Sequence, residues 1–512
     1  MLGQSAQKTT GKSIGGSNRY MIEENGHKAN INFTTGTQKD GDMSVNGGYH
    51  SPSTLASYFG RLSYNYAERY MFQFTVRRDG SSNFGPKNHW AVFPSFSLGW
   101  NLTNESFMEK RPEWLTSTKI RFSWGKNGNE AIGAFRYVPM TSSGNNHYFG
   151  TGEEGKVYVG TKPNGLANPD LKWEESTQTD IGIDLGFFNN ALTFSADYFF
   201  KKTTGMLKDM TIPSYVGDSK PVGNVGDMEN RGIEMELGYK FAAGDWNFRV
   251  SANASYIKNK LTYLGLSYEM YDYVSGMGSI ARAQNGYTYP YFYGRVTNGI
   301  FQNWDEINAY RNESGELIQP NAVPGDVRFK DLNGDGKIDD DHDKTQIGKG
   351  MPDWTYGINL QAAWKNFDFS MLIAGAIGGD IFDATRRCDL EKLNYSKWIW
   401  EHRWTGEGTS NSMPRMTITD PNASWSSVSD LYLKNGNYMR LKNIQLGYSL
   451  PQQWLKKVLI NQLRVYVAAE NLLTFTKYDG FDPEIANGTS MGVDRGIYPQ
   501  ARTYTVGVNL SF

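Results

Sequence analysis

The stretch YTVGVNLSF, residues 504–512, sets Tyr504, Val506, Val508, Leu510 and Phe512 on one face of an extended chain and Thr505, Gly507, Asn509 and Ser511 on the other. A strand alternates its side chains with period two, so this segment has one apolar face and one small or polar face. A soluble protein would turn the apolar face into a core. A bilayer offers the other solution, because a spanning strand needs only about 9–11 residues and only half of them touch lipid.

The same alternation recurs upstream. Ile181, Ile183, Leu185 and Phe187 oppose Gly182, Asp184 and Gly186; after Asn189-Asn190, Leu192, Phe194, Ala196 and Tyr198 oppose Thr193, Ser195 and Asp197. Two such runs around a short Asn turn read as a hairpin with one greasy face. Further runs contain Ile233 to Tyr239, Tyr356 to Leu360, Phe367 to Ile373, Ile444 to Leu450 and Leu463 to Ala469. The pattern predicts about 14 or 15 strands, with short helices only near residues 304–311 and 389–404. Tight turns at Asn189-Asn190, Ala243-Gly244 and Lys365-Asn366 contrast with long polar connections over 128–173, 201–229, 261–353, 378–434 and 477–500. Turns on one side and long loops on the other suit a transmembrane antiparallel barrel, whereas long structureless loops are unusual in a compact soluble domain. A propeller would repeat every ~40–50 residues, and no such repeat is present.

Composition agrees. Aromatics make up 14% of 512 residues, which fits interfacial girdles better than a single aliphatic core. The net charge of −1 argues against general nucleic-acid binding. No apolar run reaches the ~18 residues of a membrane helix. The lone cysteine, Cys388, excludes an internal disulfide framework. Residues 1–16 hold no apolar run of the kind an export signal needs.

One motif carries ion chemistry. In DLNGDGKID, Asp331, Asn333, Asp335 and Asp339 occupy positions 1, 3, 5 and 9 of a calcium-type loop, Lys337 offers its backbone carbonyl at 7, and Gly336 stands at the turn. Position 12 holds His342 instead of a bidentate acid, so Asp343 is the expected last ligand of a loop one residue longer. The alternative is an acidic turn held by its own Asx hydrogen bonds. The six histidines, His27, His50, His89, His147, His342 and His402, have no zinc spacing, and no nucleophile elbow, phosphate loop or carboxylate dyad is evident. The reading is therefore of a non-enzyme. Loop aromatics cluster at Tyr271, Tyr273, Tyr287, Tyr289, Tyr291, Phe292 and Tyr293, and again at Trp398, Trp400 and Trp404. They could stack on sugars or a lid protein, or simply pack the loops.

Several long segments together resemble one family. They are LASYFGRLSYNYAERYMFQFTVRRDGSSNFGPKNHWAVFPSFSLGW (55–100), IRFSWGKNG (120–128), NPDLKWEESTQTDIGIDLG (168–186), GDVRFKDLNGD (325–335), YMRLKNIQLGYSL (438–450) and RVYVAAENLLTF (464–475). They are similar to the barrel of the SusC/RagA family of TonB-dependent outer-membrane transporters, in consistent order from about Thr54 to Phe512. The resemblance implies a 22-stranded barrel with a lumenal plug, import energised by the TonB complex through that plug, and a SusD-like surface lipoprotein as a lid. It implies oligosaccharide or peptide substrates, a Gram-negative outer-membrane location and contact with its lipid. Residues 1–512 as a whole match the C-terminal two-thirds of such a barrel, so the plug and early strands are expected to lie outside this sequence. A passive porin and a non-transporting β-rich surface binding protein are the alternatives.

Overall fold

The computed structural model describes residues 1–20, 34–37, 39–144, 146–150, 155–210, 212–385, 395–455, 460–485 and 490–512. One antiparallel sheet of 14 strands dominates it, each strand beside its predecessor in sequence. These are β1 (Leu2–Ser17), β2 (Ser44–Tyr66), β3 (Tyr70–Ser81), β4 (Trp90–Asn101), β5 (Leu115–Asn129), β6 (Glu174–Phe187) and β7 (Leu192–Thr204). They continue as β8 (Gly226–Ala243), β9 (Trp246–Leu264), β10 (Trp354–Trp364), β11 (Phe367–Ile377), β12 (Tyr438–Ser449), β13 (Gln462–Thr476) and β14 (Thr503–Ser511). The meander confirms the expected all-β fold and its strand number. No helix among the described residues is long and apolar enough to cross a membrane.

Register shows what the alternation accomplishes. Directly paired residues in an antiparallel sheet share a face. Tyr64, Phe72, Leu98, Phe122, Ile181, Tyr198, Ile233, Tyr256, Trp354 and Ile377 form one continuous cross-strand row from β2 to β11. Every member is apolar or aromatic, yet many stand open: Ile181 is 52% exposed and Tyr64 59%. A soluble protein does not display such a band; lipid covers it. The opposite face has rows such as Arg61, Thr75, Ser95, Gly125, Gln178, Lys201, Asn230 and Asn259.

The connections fall on two sides as predicted. The hairpin between β6 and β7 turns through Phe188, Asn189 and Asn190, all at positive φ, and Gly244 at φ 59° turns β8 into β9. Asparagine and glycine tolerate this region where branched side chains do not. At this short-turn end, rings stack in sequence: Tyr239–Phe241 (5.1 Å), Phe241–Phe248 (4.7 Å), Trp246–Phe248 (5.5 Å), Trp246–Trp364 (5.7 Å) and Phe367–Tyr448 (4.7 Å). That is an interfacial aromatic belt.

Strand β1 and the short helices are the elements that alternation marks least. At the start of the chain, β1 pairs with β2 from Leu2↔Gly60 to Ser17↔Ser44. Ladder pairing is a backbone property, and almost every β1 side chain is exposed, so alternation was a poor guide there. Helices are shorter than expected: α1 spans Trp304–Ala309, capped by Asn303 accepting from the Glu306 N–H at 3.0 Å, and α2 spans Lys397–His402. The earlier part of the second predicted helix, with Cys388, lies outside the described residues. A further short helix, α3 (Gln452–Leu455), lies between β12 and β13.

The largest buried hydrophobic cluster among the described residues sits in the long connections. Val274, Ile280, Phe292, Phe382, Trp425, Val428, Tyr432 and Val493 are all buried together, drawn from three different loops. These loops therefore fold as a body. A four-stranded sheet runs through it, formed by Tyr268–Val274, Gly278–Gln284, Tyr291–Arg295 and Lys344–Gly348.

Candidate functional site

The chemistry lies on the polar sheet face and in the loop body. On the polar face, Arg121 of β5 reaches across two strands: its Nε donates to Asp184 at 2.8 Å, and its Nη2 donates to Asp197 at 2.9 Å and Ser195 at 3.1 Å. Gly182 leaves the room for this; a Cβ there would sit 2.1 Å from Asp197 Oδ1 and 2.8 Å from Arg121 Nη2. Near the opposite edge, Arg464 donates to Asp368 at 2.8 Å. Toward the long-loop end, nearly buried Arg440 holds Asp482 at 2.5 Å and Glu484 at 2.8 Å, and Lys442 joins Glu484. These bridges tie strands to loops and line a wet, charged wall. The sequence reading missed them; their only trace was polar residues at the inward phase of each strand, and pairing them requires the register.

The acidic loop folds as a tight, self-bonded turn. Asp331 accepts the Gly334 N–H at 2.7 Å with one oxygen and the Gly336 N–H at 2.8 Å with the other. Asn333 accepts from the Asp335 N–H at 3.2 Å and donates to its carboxylate at 2.9 Å. Asp335 accepts the Lys337 N–H at 3.2 Å, and the Lys337 ammonium extends outward, 3.6 Å from Asp339. Asp343 is fully buried and closes the loop, accepting from Leu332 at 2.8 Å and Asp339 at 2.7 Å. Oxygens of Asp335 and Asp339 and a ring nitrogen of His342 converge within 4.8 Å of one another. The oxygen donors suit a hard cation, and the backbone hydrogen bonds leave further lone pairs on each carboxylate. The histidine is the departure from a calcium set.

Hydrogen bonds from the backbone and ring of His342 hold Asp339 well below the usual carboxylate range, at about 2, and the same contact raises the His342 ring above its ordinary value.

The loop aromatics divide by burial. Tyr291 and Phe292 are 2% exposed, and Phe292 packs on Phe382 at 5.6 Å. Burial pushes the Tyr291 hydroxyl up to about 12. Tyr271 meets Tyr289 edge-on at 6.0 Å and shares Glu269 with Lys208, which joins two connections. These rings pack the loops. Tyr273, Tyr287, Trp398 and Trp400 remain exposed. Trp398 stacks on His402 at 4.5 Å within α2.

A model of the "TonB dependent receptor-like, beta-barrel" family matches residues 4–472. TonB-dependent receptor P3 of Formosa agariphila is 34% identical over 91% of this chain and 46% of its own length. The TonB-dependent receptor SusC of Bacteroides thetaiotaomicron is 30% identical over 98% of this chain and 48% of its own. The chain thus spans about half the length of these relatives. A solved structure of the RagAB peptide transporter superposes on the whole chain with a TM-score of 0.78 at 26% identity, using 53% of the matched chain.

Proposed function

The chain belongs to the TonB-dependent receptor β-barrel family, of SusC/RagA type and outer-membrane location, and on that premise we propose that it forms wall and loops of an energised nutrient importer. Members of this family are transporters, not enzymes. The observation that carries the proposal is the two-faced sheet: an unbroken apolar row outside and charged, hydrogen-bonded rows inside. Such a wall admits polar solutes without covalent chemistry. The sheet is open among the described residues, with β1 pairing only with β2 and β14 only with β13. Unpaired edges cost several kcal/mol per backbone group in lipid. In the proposal further strands close the barrel, a plug fills it, and the TonB complex acts through that plug.

The proposed cargo is oligomeric. Oligosaccharides come first, since Tyr273, Tyr287, Trp398 and Trp400 keep part of their ring surface exposed on the long loops. Similarity to the RagAB peptide transporter favours peptides as the second class. A SusD-like lipoprotein would cover the loops. In cells carrying the protein, uptake of a labelled oligosaccharide should stop when the inner membrane is de-energised; uptake that continues would favour a porin.

We also propose that the loop bearing Asp331, Asn333, Asp335, Lys337 (by its carbonyl), Asp339 and Asp343 takes calcium, which would stiffen that loop. Support comes from the carboxylates of Asp335 and Asp339, which converge with the His342 ring within 4.8 Å. Calorimetric titration of the detergent-solubilised protein should give heat that Asp335→Ala removes. No heat at millimolar calcium would leave the loop as a self-bonded turn.

A further inference from the structure

The outward face changes character abruptly at the long-loop end of β7 to β9. The apolar row containing Tyr198, Ile233, Tyr256 and Trp354 is its upper aromatic margin, with Tyr256 and Trp354 rings 5.0 Å apart. One position further up on the same face, Arg231 pairs with Lys258. One position above that, Lys202 and Lys260 flank Glu229. The four cations are exposed, and none is held in an ion pair among the described residues. Strand spacing and rise put all four within about 10 Å by 7 Å. Glu229 is the single acid among them. A cavity of about 390 Å³ adjoins the patch, lined by Lys258, Lys260, Lys349, Tyr287, Thr288 and Gln346. Lys349 there is tied to Asp353.

Four cations crowd around one acid, Glu229, so the fold leaves a net positive charge on this patch. Their height gives the reason. Long loops mark the extracellular side of an outer-membrane barrel, so the patch lies where the outer leaflet's headgroups meet the apolar band. Basic clusters at that level attract anionic headgroups. We propose that Lys202, Arg231, Lys258 and Lys260 form a docking site for the phosphorylated headgroup of an outer-leaflet lipid, whose acyl chains lie along Tyr198, Ile233 and Tyr256. The site rests on the membrane orientation of the sheet but not on transport or its cargo. A soluble polyanion would need no apolar surface beneath its charge, which is why a lipid is the occupant.

The test uses protein extracted from outer membranes in mild detergent, with purified lipid A as probe and native mass spectrometry as readout. Wild type should retain lipid A, and retention should fall as salt rises. The combined Lys202→Gln, Arg231→Gln, Lys258→Gln and Lys260→Gln protein should retain about tenfold less. Lys201→Gln, on the inward face of the same strand, should change nothing, and arginine at the three lysine positions should preserve binding. Heat-modifiable migration on gels checks that each variant is folded; if the combined variant fails this, Lys258→Gln alone and the salt series decide. Equal retention by a folded variant, salt-independent retention, or displacement by inorganic phosphate as effective as by lipid A would overturn the site. A protein that stays folded and monomeric without detergent would instead overturn the membrane reading itself.

Discussion

Asp339 and His342 show how a turn sets charge states. The Asp339 carboxylate accepts two backbone N–H groups and faces the imidazole at 3.1 Å. Because the His342 pKa is raised in the folded loop, its contribution is complete below the ordinary value of 6.5 and fades as pH rises through the folded value. Asp339, depressed to about 2, contributes above its ordinary 3.8 and loses that only as pH falls toward 2. Histidine-selective NMR should therefore find His342 titrating above 6.5, and Asp339→Asn should bring it back; an unshifted ring in wild type would contradict the contact. Packing gives a second residue-scale prediction. Phe382 is fully buried against Phe292 and Tyr432, both at 5.6 Å. Phe382→Ala should cost the loop body about 3–5 kcal/mol and open it to proteolysis while the sheet stays intact. The calcium-type spacing was readable because its residues are local in sequence. The Asp184–Arg121–Asp197 bridge was not, because a one-residue change of register would have separated its members.

At the scale of elements, strand phase decides what a substitution does. Ile358 faces outward in mid-strand, paired with Ala252 and Ile373, and its neighbour Asn359 faces inward. Ile358→Lys should destabilise the folded protein in lipid vesicles by about 2–4 kcal/mol, and Asn359→Lys by under about 1. Urea unfolding of both would show it, and equal effects would mean the faces are misassigned. Strands with strong alternation, such as β6, β7, β10 and β11, were legible because lipid on one side and water on the other impose opposite demands on neighbouring residues. Strand β1 carries no such alternation, since its exposed side chains obey neither demand and its backbone ladder leaves no mark in composition.

For the whole molecule, the division of labour is inverted relative to a soluble domain. The sheet turns its apolar residues outward, and the largest buried cluster among the described residues lies in connections long enough to be mistaken for structureless. The loop asymmetry was visible in the sequence; the body those loops build was not, because Phe292, Phe382, Trp425 and Val493 come together from distant segments. The central claim is that lipid covers one sheet face and water the other. Nitroxide labels test it most directly, placed singly in a Cys388→Ser background in lipid vesicles at outward positions 181, 358 and 467 and inward positions 184, 359 and 466. Apolar oxygen should relax the outward labels and a water-soluble nickel chelate the inward ones. Labels on both faces relaxed equally by the nickel chelate would contradict it.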